Sequence, residues 1–274
     1  MDRDDFGDRM KRYEAELSEQ RLVPFKPLYV RLDGRSFSGF TKGFRKPYDP
    51  KLSWAMKVTA EELMKQFKPT MAFTQSDEIS LGWPAYPRFP LFDGKIQKLT
   101  STFAAVATSR FVLAMHQLGG EYSQRAKSKV PSFDARLVQL PSHDELANAF
   151  YWRELDCRRN AISSAAQSMF SHKSLQGKDQ AAMREMMYWA GTPFDTHFPE
   201  FFRRGVYLHR ALREVDVKQE SLLNPNFRAP TETVIRGRIV RISAPNSHQE
   251  RVDLLTQVDG FFSLLTKAQK EQIL

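Results

Sequence analysis

The spacing of apolar residues predicts an alternation of strands and helices over the first half of the chain. Apolar side chains at intervals of three and four residues are typical of an amphipathic helix, and short apolar runs bounded by turn residues are typical of strands. In chain order the predicted elements are a helix over 4–19, a strand over 28–32, a helix over 51–67, a strand pair over 70–83, a helix over 95–118 and a strand over 133–140.

The second half of the chain continues with a long helix that has a recognisable start. Ser142 is followed three residues later by Glu145, which is the spacing of a capping box, and the helix is expected to run to about 170. A polar, basic loop is expected after Gly119-Gly120. The remaining predicted elements are a helix over 178–190, strands over 205–210 and 233–242, a loop over 223–230 and one or two helices over 249–272.

The order strand, helix, strand, strand, helix, strand through residue 140 indicates a split βαβ, ferredoxin-like arrangement. The predicted fold class is therefore α+β, with an antiparallel sheet and helices packed against it. We predict a catalytic domain with helical additions over residues 1–218. Residues 219–274 are expected to form a C-terminal strand and helix extension packed on the same domain.

Charge and cysteine content narrow the functional classes. The 274 residues include 41 Lys and Arg against 32 Asp and Glu, which gives a net charge of +9. A positively charged surface attracts polyanions such as RNA. A protein that is basic without having such a partner is an equally common explanation of this charge. A single cysteine, Cys157, excludes an intrachain disulfide and a cysteine-rich zinc site. The acidic N-terminus and the lack of an apolar run of roughly 20 residues favour a cytoplasmic protein without a membrane span.

Two carboxylates stand at predicted turns. Asp33 ends the first strand before Gly34, and Asp77 lies at the tip of the predicted hairpin, 77 − 33 = 44 positions later. The ferredoxin-like topology would bring both to one end of the sheet, where they could hold divalent cations that bridge a phosphorylated substrate. The alternative for each aspartate is an ordinary role in a turn or a helix cap.

Several short motifs in register resemble the tRNA-histidine guanylyltransferase family, which includes related tRNA 5′-end repair enzymes. The motifs are Asp2-Arg3-Asp4-Asp5-Phe6-Gly7-Asp8-Arg9-Met10-Lys11, Arg31-Leu32-Asp33-Gly34-Arg35-Ser36-Phe37, Phe44-Arg45-Lys46-Pro47-Tyr48-Asp49, Gln75-Ser76-Asp77-Glu78, Phe133-Asp134-Ala135-Arg136 and Asp156-Cys157. The resemblance covers about residues 2–210. It implies a polymerase-palm-like core, nucleotide addition in the 3′-to-5′ direction and a homotetramer.

The resemblance also implies roles for individual residues. Two Mg²⁺ ions would be held by Asp33, Asp77 and the Gly34 carbonyl, with Ser76 and Glu78 flanking the ligand; Glu78 either supports it or points outward on the hairpin. Lys46 is expected to act close to the triphosphate. The residues expected to bind the nucleotides ATP and GTP are Gly34, Arg35, Ser36, Phe37, Lys46, Asp49, Lys95, Lys98 and Arg136.

The chain departs from the family pattern in the segments linked to tRNA recognition. Arg158-Arg159-Asn160-Ala161 stands where the histidine-specific enzymes have His-Ile-Asn-Asn, and the later Lys-Asn-Glu segment is not recognisable within 191–199. These departures favour the branch that repairs truncated tRNA 5′ ends. Arg158, Arg159 and Asn160 remain candidates for contact with the RNA backbone.

The predicted function is therefore metal-dependent 3′-5′ nucleotidyl transfer to the 5′ end of tRNA, with ATP-dependent activation of that end. The added nucleotide is either GTP by preference or directed by the template. One alternative is a strict tRNA-histidine guanylyltransferase that adds a single 5′ G. Two further alternatives are a palm-type nucleotide cyclase, whose Gly-Gly-Asp/Glu-Glu-Phe signature is absent from the sequence, and a tRNA-binding protein without activity.

Overall fold

One antiparallel sheet of six strands forms the centre of the molecule. The computed structural model describes residues 3–85, 91–216 and 233–264. The strands are β1 (Leu28–Gly34), β2 (Met71–Gln75), β3 (Glu78–Trp83), β4 (Phe133–Gln139), β5 (Val206–Asp216) and β6 (Thr233–Ile242). Their order across the sheet is β4-β1-β3-β2-β5-β6, so the first four strands adopt the predicted ferredoxin-like arrangement.

The helices connect these strands and cover the two faces of the sheet. They are α1 (Arg3–Ser18), α2 (Phe37–Phe40), α3 (Pro50–Phe67), α4 (Ile96–Leu118), α5 (Gly120–Ser128), α6 (His143–Met169), α7 (His172–Leu175), α8 (Gln180–Trp189), α9 (Phe194–His197), α10 (Glu200–Arg204) and α11 (His248–Leu264). None of these described helices is both long enough and apolar enough to cross a membrane.

Alternation along the strands builds a core on each face of the sheet. On β1, Leu28, Val30 and Leu32 are buried in a cluster with residues of α3 and α4. Tyr29, between them, belongs to a second cluster with Leu255 and residues of α6. Because successive side chains of a strand point to opposite faces, the sheet is the middle layer between α3 and α4 on one side and α6 and α11 on the other.

Helix α6 extends beyond the sheet and packs in a third apolar cluster. The helix begins as predicted, with the Ser142 hydroxyl accepting from the Glu145 backbone N–H at 3.2 Å. Its N-terminal half contributes to the sheet core, whereas Ala161 and Ala165 pack with Met187 and Phe194 of α8 and α9. The 27-residue helix therefore joins the sheet to a separate helical unit.

The structure differs from the prediction after Gly119. The stretch expected as a loop contains α5, because Tyr122 and Ala126, spaced four residues apart, are buried on one side of a helical turn. Strand β5 is also longer than predicted, since it pairs with β6 from Tyr207 to Asp216. Several predicted features lie outside the described residues. They are Asp2, residues 86–90 of the proline-rich stretch, the boundary near 218, the predicted loop over 223–230 and the predicted helix end at 265–272.

A buried polar cluster connects the C-terminal helix to the sheet. Glu154 of α6 accepts from Arg204 at 2.8 Å, from Arg251 at 2.7 Å and from the Tyr207 hydroxyl at 3.0 Å. Glu154 is 1% exposed and Arg251 3% exposed, so water cannot solvate either charge. The cluster is stable only while both arginines face the carboxylate.

We predict that Glu154→Gln lowers the free energy of unfolding by about 3 kcal/mol, because the buried Arg251 and the partly buried Arg204 lose their counter-charge. Urea denaturation measures the effect. Glu185→Gln, on the exposed surface of α8, is the matched control and should change the unfolding free energy by less than about 0.5 kcal/mol. Equal unfolding midpoints for the two variants would contradict the importance of this cluster.

Candidate active site

Acidic residues gather at one end of the sheet. Asp33 lies next to the end of β1, opposite Glu78 on β3 and opposite Asp134 on β4. Asp77 occupies the two-residue turn between β2 and β3, and its carbonyl accepts from the Gly34 N–H at 3.0 Å. This bond holds the hairpin turn against the end of β1, so the structure brings Asp33 and Asp77 together as the topology predicts.

The two aspartates influence each other electrostatically. Partial burial raises the pKa of Asp77 above its ordinary value, and the nearby negative charge of Asp33 raises it further, whereas a hydrogen bond from Ser76 opposes the shift. A pair of carboxylates in this state is stabilised by a hard divalent cation, which prefers oxygen ligands. The donor set thus fits Mg²⁺, although no group of three or more metal-ligating side chains is found within residues 3–85, 91–216 and 233–264.

The negative charge of Glu78 is balanced by an arginine, and its side chain does not point outward on the hairpin. Its side chain is buried, and the Arg153 Nε donates to its Oε1 at 2.7 Å. Burial raises the pKa of Glu78, and the Arg153 charge opposes that shift. Arg153 also donates to Asp156 at 2.7 Å, so α6 supplies the counter-charge for the acid next to Asp77.

Gly34 has no room for a side chain. A Cβ at this position would lie 2.5 Å from a carbon of the Phe37 ring, which is buried against Phe40, Phe111 and Phe133. The glycine therefore allows the chain to turn sharply between Asp33 and the first residue of α2. Its backbone also carries the hydrogen bond to the Asp77 turn.

The backbone after Gly34 partly matches the predicted triphosphate cradle. The Arg35 N–H already donates to the Ser132 carbonyl at 2.8 Å, so it belongs to the sheet and is unavailable to a ligand. Ser36 has a left-handed backbone with φ of 56°. Among the described residues, no hydrogen-bond partner is found for the N–H groups of Ser36 and Phe37, which leaves two of the three predicted amides for a phosphate.

A cavity of about 190 Å³ opens beside the Ser76-Asp77 turn, on the β2 side of the acids. It lies between α3, the chain after α2 and the C-terminal half of α6. Its lining includes Lys46, Asp49, Ser76, Cys157 and Asn160. Lys46 is exposed at the surface of this cavity, whereas Cys157 is buried, and burial raises the pKa of its thiol to about 12.

Asp49 holds the loop that borders this cavity. Its carboxylate accepts from the Lys51 N–H at 2.9 Å and the Leu52 N–H at 3.1 Å, and so caps α3. The Tyr122 hydroxyl donates to the same group at 2.8 Å. The carboxylate is thus engaged inside the protein, and a direct contact between Asp49 and a nucleotide stays a prediction.

Basic residues lie on the other side of the acids, over β1 and β4. Arg136 faces Arg31 across the strand pair, and its side chain lies 3.6 Å from Asp134. On α6, Arg159 pairs with Asp156, and the Asn160 amide donates to Asp156 at 3.4 Å. Arg158 is half-buried on the same helix. The structure thus brings Arg136 close to the acids but joins Arg159 and Asn160 to Asp156.

Lys95 and Lys98 are far from the acids of the same chain, and their predicted contact with a triphosphate stays a prediction. Helix α4 is roughly 35 Å long. Its N-terminal half contacts Trp83 through Phe103, whereas Phe111 reaches Phe37 at the acid end. Both lysines precede Phe103, so they lie at the Trp83 end, which is roughly 17 Å from Asp33 along β1. Lys95 pairs there with Glu19.

The sequence interpretation missed three residues of the site: Arg31, Trp152 and Arg153. The Arg153 guanidinium carbon lies 4.6 Å from the centre of the Trp152 ring, and that of Arg31 lies 5.6 Å from it. The sequence does contain a signal for them, because Arg31 lies two residues before Asp33, and Trp152 and Arg153 lie shortly before Asp156. A mixed apolar and basic segment within a long helix did not by itself indicate which side chains faced the acids.

Comparisons with known proteins support one family. The sequence model of the family described as tRNAHis guanylyltransferase matches residues 7–141. An uncharacterized protein of Acanthamoeba polyphaga mimivirus is 31% identical over 242 residues, covering 81% of this chain and 82% of that protein. A tRNA(His) guanylyltransferase of Debaryomyces hansenii is 29% identical over 224 residues, covering 77% of this chain and 81% of the relative.

Solved structures give the same result. A bacterial tRNA(His) guanylyltransferase-like protein in complex with ATP superposes with a TM-score of 0.66 and 32% identity, covering 74% of this chain and 88% of that chain. A second structure with the same description, in complex with GTP, has a TM-score of 0.63 and 24% identity, covering 94% of this chain and 96% of that chain. The second similarity supports the fold alone.

We predict that Gly34→Ala lowers the free energy of unfolding by about 1–3 kcal/mol, because its Cβ collides with the packed Phe37 ring. Gly39→Ala is the control, since a Cβ there meets nothing within 4 Å, and its effect should stay below about 1 kcal/mol. Chemical denaturation measures both. In a Phe37→Leu background the Gly34→Ala change should cost less than in the wild type, and an equal cost in both backgrounds would show that the collision is not the cause.

Proposed function

We infer the function of this chain from its membership of the tRNA(His) guanylyltransferase family, which makes it an enzyme and a nucleotidyltransferase. We propose that it adds nucleotides to the 5′ end of tRNA in the 3′-to-5′ direction, using Mg²⁺ and acting as a homotetramer in the cytoplasm. The observation that supports this most is the juxtaposition of Asp33 and Asp77 at the end of a palm-like sheet. A cavity of about 190 Å³, lined by Lys46 and by Ser76 next to Asp77, lies on the β2 side of this pair.

The acids and the Gly34 carbonyl are the proposed Mg²⁺ ligands. When bound, two such ions lower the pKa of an attacking hydroxyl and neutralise phosphate charge. Glu78 positions the turn that carries Asp77 through its ion pair with Arg153, and Ser76 occupies the first position of that turn with a left-handed backbone. The protein thus fixes the two ligands before substrate arrives.

The cavity on the β2 side is the proposed site of the nucleotide that activates the RNA. Lys46 borders it and would contact phosphate oxygens. The Ser36 and Phe37 amides, for which no partner is found among the described residues, lie outside its lining and would instead donate to a phosphate held at the acids. A relative at 32% identity was solved with ATP, which fits ATP as the activating nucleotide. Arg136, on the opposite side of the acids, would contact phosphates of the RNA or of the incoming nucleotide.

The proposed reaction has two transfers. The 5′-monophosphate of the RNA first attacks the α-phosphate of ATP, which releases pyrophosphate and leaves an adenylylated end. The 3′-hydroxyl of an incoming nucleotide, by preference GTP, then attacks that 5′ phosphorus, loses its proton and releases AMP. A 5′-triphosphate end does not need the first transfer, because it already carries a leaving group.

Two variants of this function differ in the RNA that they accept. Arg158, Arg159, Asn160 and Ala161 replace the His-Ile-Asn-Asn segment, which favours repair of truncated tRNAs over strict dependence on tRNA-histidine. Asn160 lines the cavity and Arg159 pairs with Asp156, so part of this segment supports the nucleotide side of the site. Arg158 stays a candidate contact for the RNA backbone.

The deciding experiment is 5′ extension, with Mg²⁺, ATP and GTP, of two RNAs: full-length tRNA-histidine and a different tRNA that lacks its first nucleotide. Extension of the truncated tRNA by the nucleotide that pairs with the acceptor strand supports template-directed repair. Extension confined to tRNA-histidine supports the strict guanylyltransferase. Extension of neither RNA contradicts the proposal.

We predict that Asp77→Asn lowers kcat for 5′ extension at least about 100-fold, because it removes a metal ligand at the reacting phosphate. The dissociation constant for tRNA should change much less, since most of that affinity comes from the basic surface. Asp253→Asn, on the exposed face of α11, makes the same charge change as a control. Intact turnover of the Asp77→Asn variant would disprove the site assignment.

We also predict that Mg²⁺ affinity falls with acidification earlier than for an ordinary aspartate site. Mg²⁺ needs ionised carboxylates, and burial together with Asp33 raises the pKa of Asp77. Below that raised pKa, each pH unit should weaken binding about tenfold, and binding should recover fully as the pH returns above it. Calorimetric Mg²⁺ titrations across a pH series measure this, and a flat profile down to the ordinary aspartate pKa would contradict it.

A further inference from the structure

Trp152 is an exposed aromatic residue in a charged environment. It lies on α6 directly before the buried residues Arg153 and Glu154, yet its own side chain is 55% exposed. Its ring is within cation–π distance of the Arg153 and Arg31 guanidinium groups, at 4.6 Å and 5.6 Å. The ring is therefore held between α6 and the sheet while part of its surface remains open to solvent.

Two arginines, Arg31 and Arg153, connect this ring to the acids at the end of the sheet. Arg31 precedes Asp33 by two residues on β1, so both side chains lie on the same face of the sheet. Arg153 donates to Glu78, the cross-strand neighbour of Asp33. A single side chain, Arg31 on one side and Arg153 on the other, therefore lies between Trp152 and the acidic residues Asp33 and Glu78.

An aromatic surface with arginines around it is suited to a nucleobase. Proteins recognise unpaired bases and RNA ends by stacking them on aromatic rings and guanidinium planes. Such stacking tolerates any base, because every base has a π-face. Arg136, exposed on the neighbouring strand opposite Arg31, adds positive charge for the adjoining phosphate.

We propose that Trp152 stacks on the nucleobase of the 5′-terminal nucleotide of the RNA substrate. The proposal rests on the function proposed above, in which the phosphate of that nucleotide reacts at Asp33 and Asp77. Only the Arg31 side chain separates Trp152 from the end of β1 that carries Asp33, so the ring lies next to the place where that phosphate would react. Trp152 thus positions the RNA end for the first transfer without dictating its sequence, and gives up its place to the incoming nucleotide in the second.

The shape of the surface favours the RNA end over a free nucleotide. Small ligands bind in concave sites that enclose most of their surface, and the cavity bordered by Lys46 on the β2 side has that form. Trp152 lies instead on an open face of α6, where Tyr151 and Leu155 are also exposed. An open apolar surface beside a reaction centre fits the flat end of a longer molecule.

The test measures stacking directly. The full-length protein is titrated into a truncated tRNA that carries 2-aminopurine as its 5′-terminal base, without added nucleotides. Stacking on Trp152 should quench the 2-aminopurine fluorescence. Trp152→Leu should abolish the quenching and raise the dissociation constant about fivefold or more, whereas Trp152→Phe should retain most of both. Trp189→Leu removes another exposed tryptophan, on α8, as the matched control.

Each outcome either supports the inference or overturns it. Quenching that survives Trp152→Leu, or that is lost equally in Trp189→Leu, overturns it. So does Trp152-dependent quenching of 2-aminopurine riboside triphosphate without quenching of the RNA. A change of oligomeric state in Trp152→Leu, with RNA quenching unaltered, would assign the surface to a second copy of the chain and overturn the inference as well.

The assay also separates this inference from the proposed function. It contains no ATP or GTP and involves no chemistry, so it reports stacking whether or not the RNA is extended. A wild-type protein that extends neither RNA but shows Trp152-dependent quenching would disprove the proposed function alone. A wild-type protein that extends RNA without such quenching would disprove the role of Trp152 alone.

Discussion

The hydrogen bond from the Gly34 N–H to the Asp77 carbonyl is the contact on which the rest of the site depends. It joins the end of β1 to the β2–β3 turn across the end of the sheet, at 3.0 Å. The antiparallel register determines that Asp33 faces Glu78, and this bond extends the register into the turn. Gly34 must be a glycine because Phe37 fills the space above it. A small packing constraint therefore places both carboxylates.

That arrangement concentrates negative charge, and α6 supplies the balancing charge. Glu78 is buried beside Asp77 and is tolerated only because Arg153 donates to it from α6. Asp156 binds the other end of the Arg153 guanidinium, so one arginine serves two acids from two elements. Asp33 and Asp77 are left without such an arginine among their described contacts. Their charge is consequently available to a cation, while that of Glu78 is not.

Local signals were sufficient for most of the fold. The ferredoxin-like strand order followed from the succession of elements, because that succession restricts an antiparallel sheet to few topologies. The convergence of Asp33 and Asp77 followed from the same topology. Helix α5 was missed because only Tyr122 and Ala126 mark its buried side in an otherwise polar stretch. Its main role, a hydroxyl donated to Asp49, is a long-range contact that no local pattern reveals.

The differences between the predicted and the observed positions of site residues have a related cause, because a sequence motif does not indicate where in space its side chains lie. Lys95 and Lys98 were placed at the triphosphate by resemblance, yet α4 begins at the opposite end of the sheet from Asp33. Arg153 was overlooked because its role appears only when α6 crosses β3. Residues whose function depends on the packing of two distant elements are the ones that sequence patterns describe least well.

The same packing explains how the acid end can be retained while the segment within 191–199 differs from the family pattern. The acids depend on the sheet and on the N-terminal half of α6. The altered segment within 191–199 belongs to a separate apolar cluster, in which Phe194 and Phe198 pack against Ala161 and Ala165 of the C-terminal half of α6. Substitutions on the exposed side of that cluster leave the β1 register untouched. The sequence of that segment can therefore change while the arrangement of Asp33 and Asp77 stays the same.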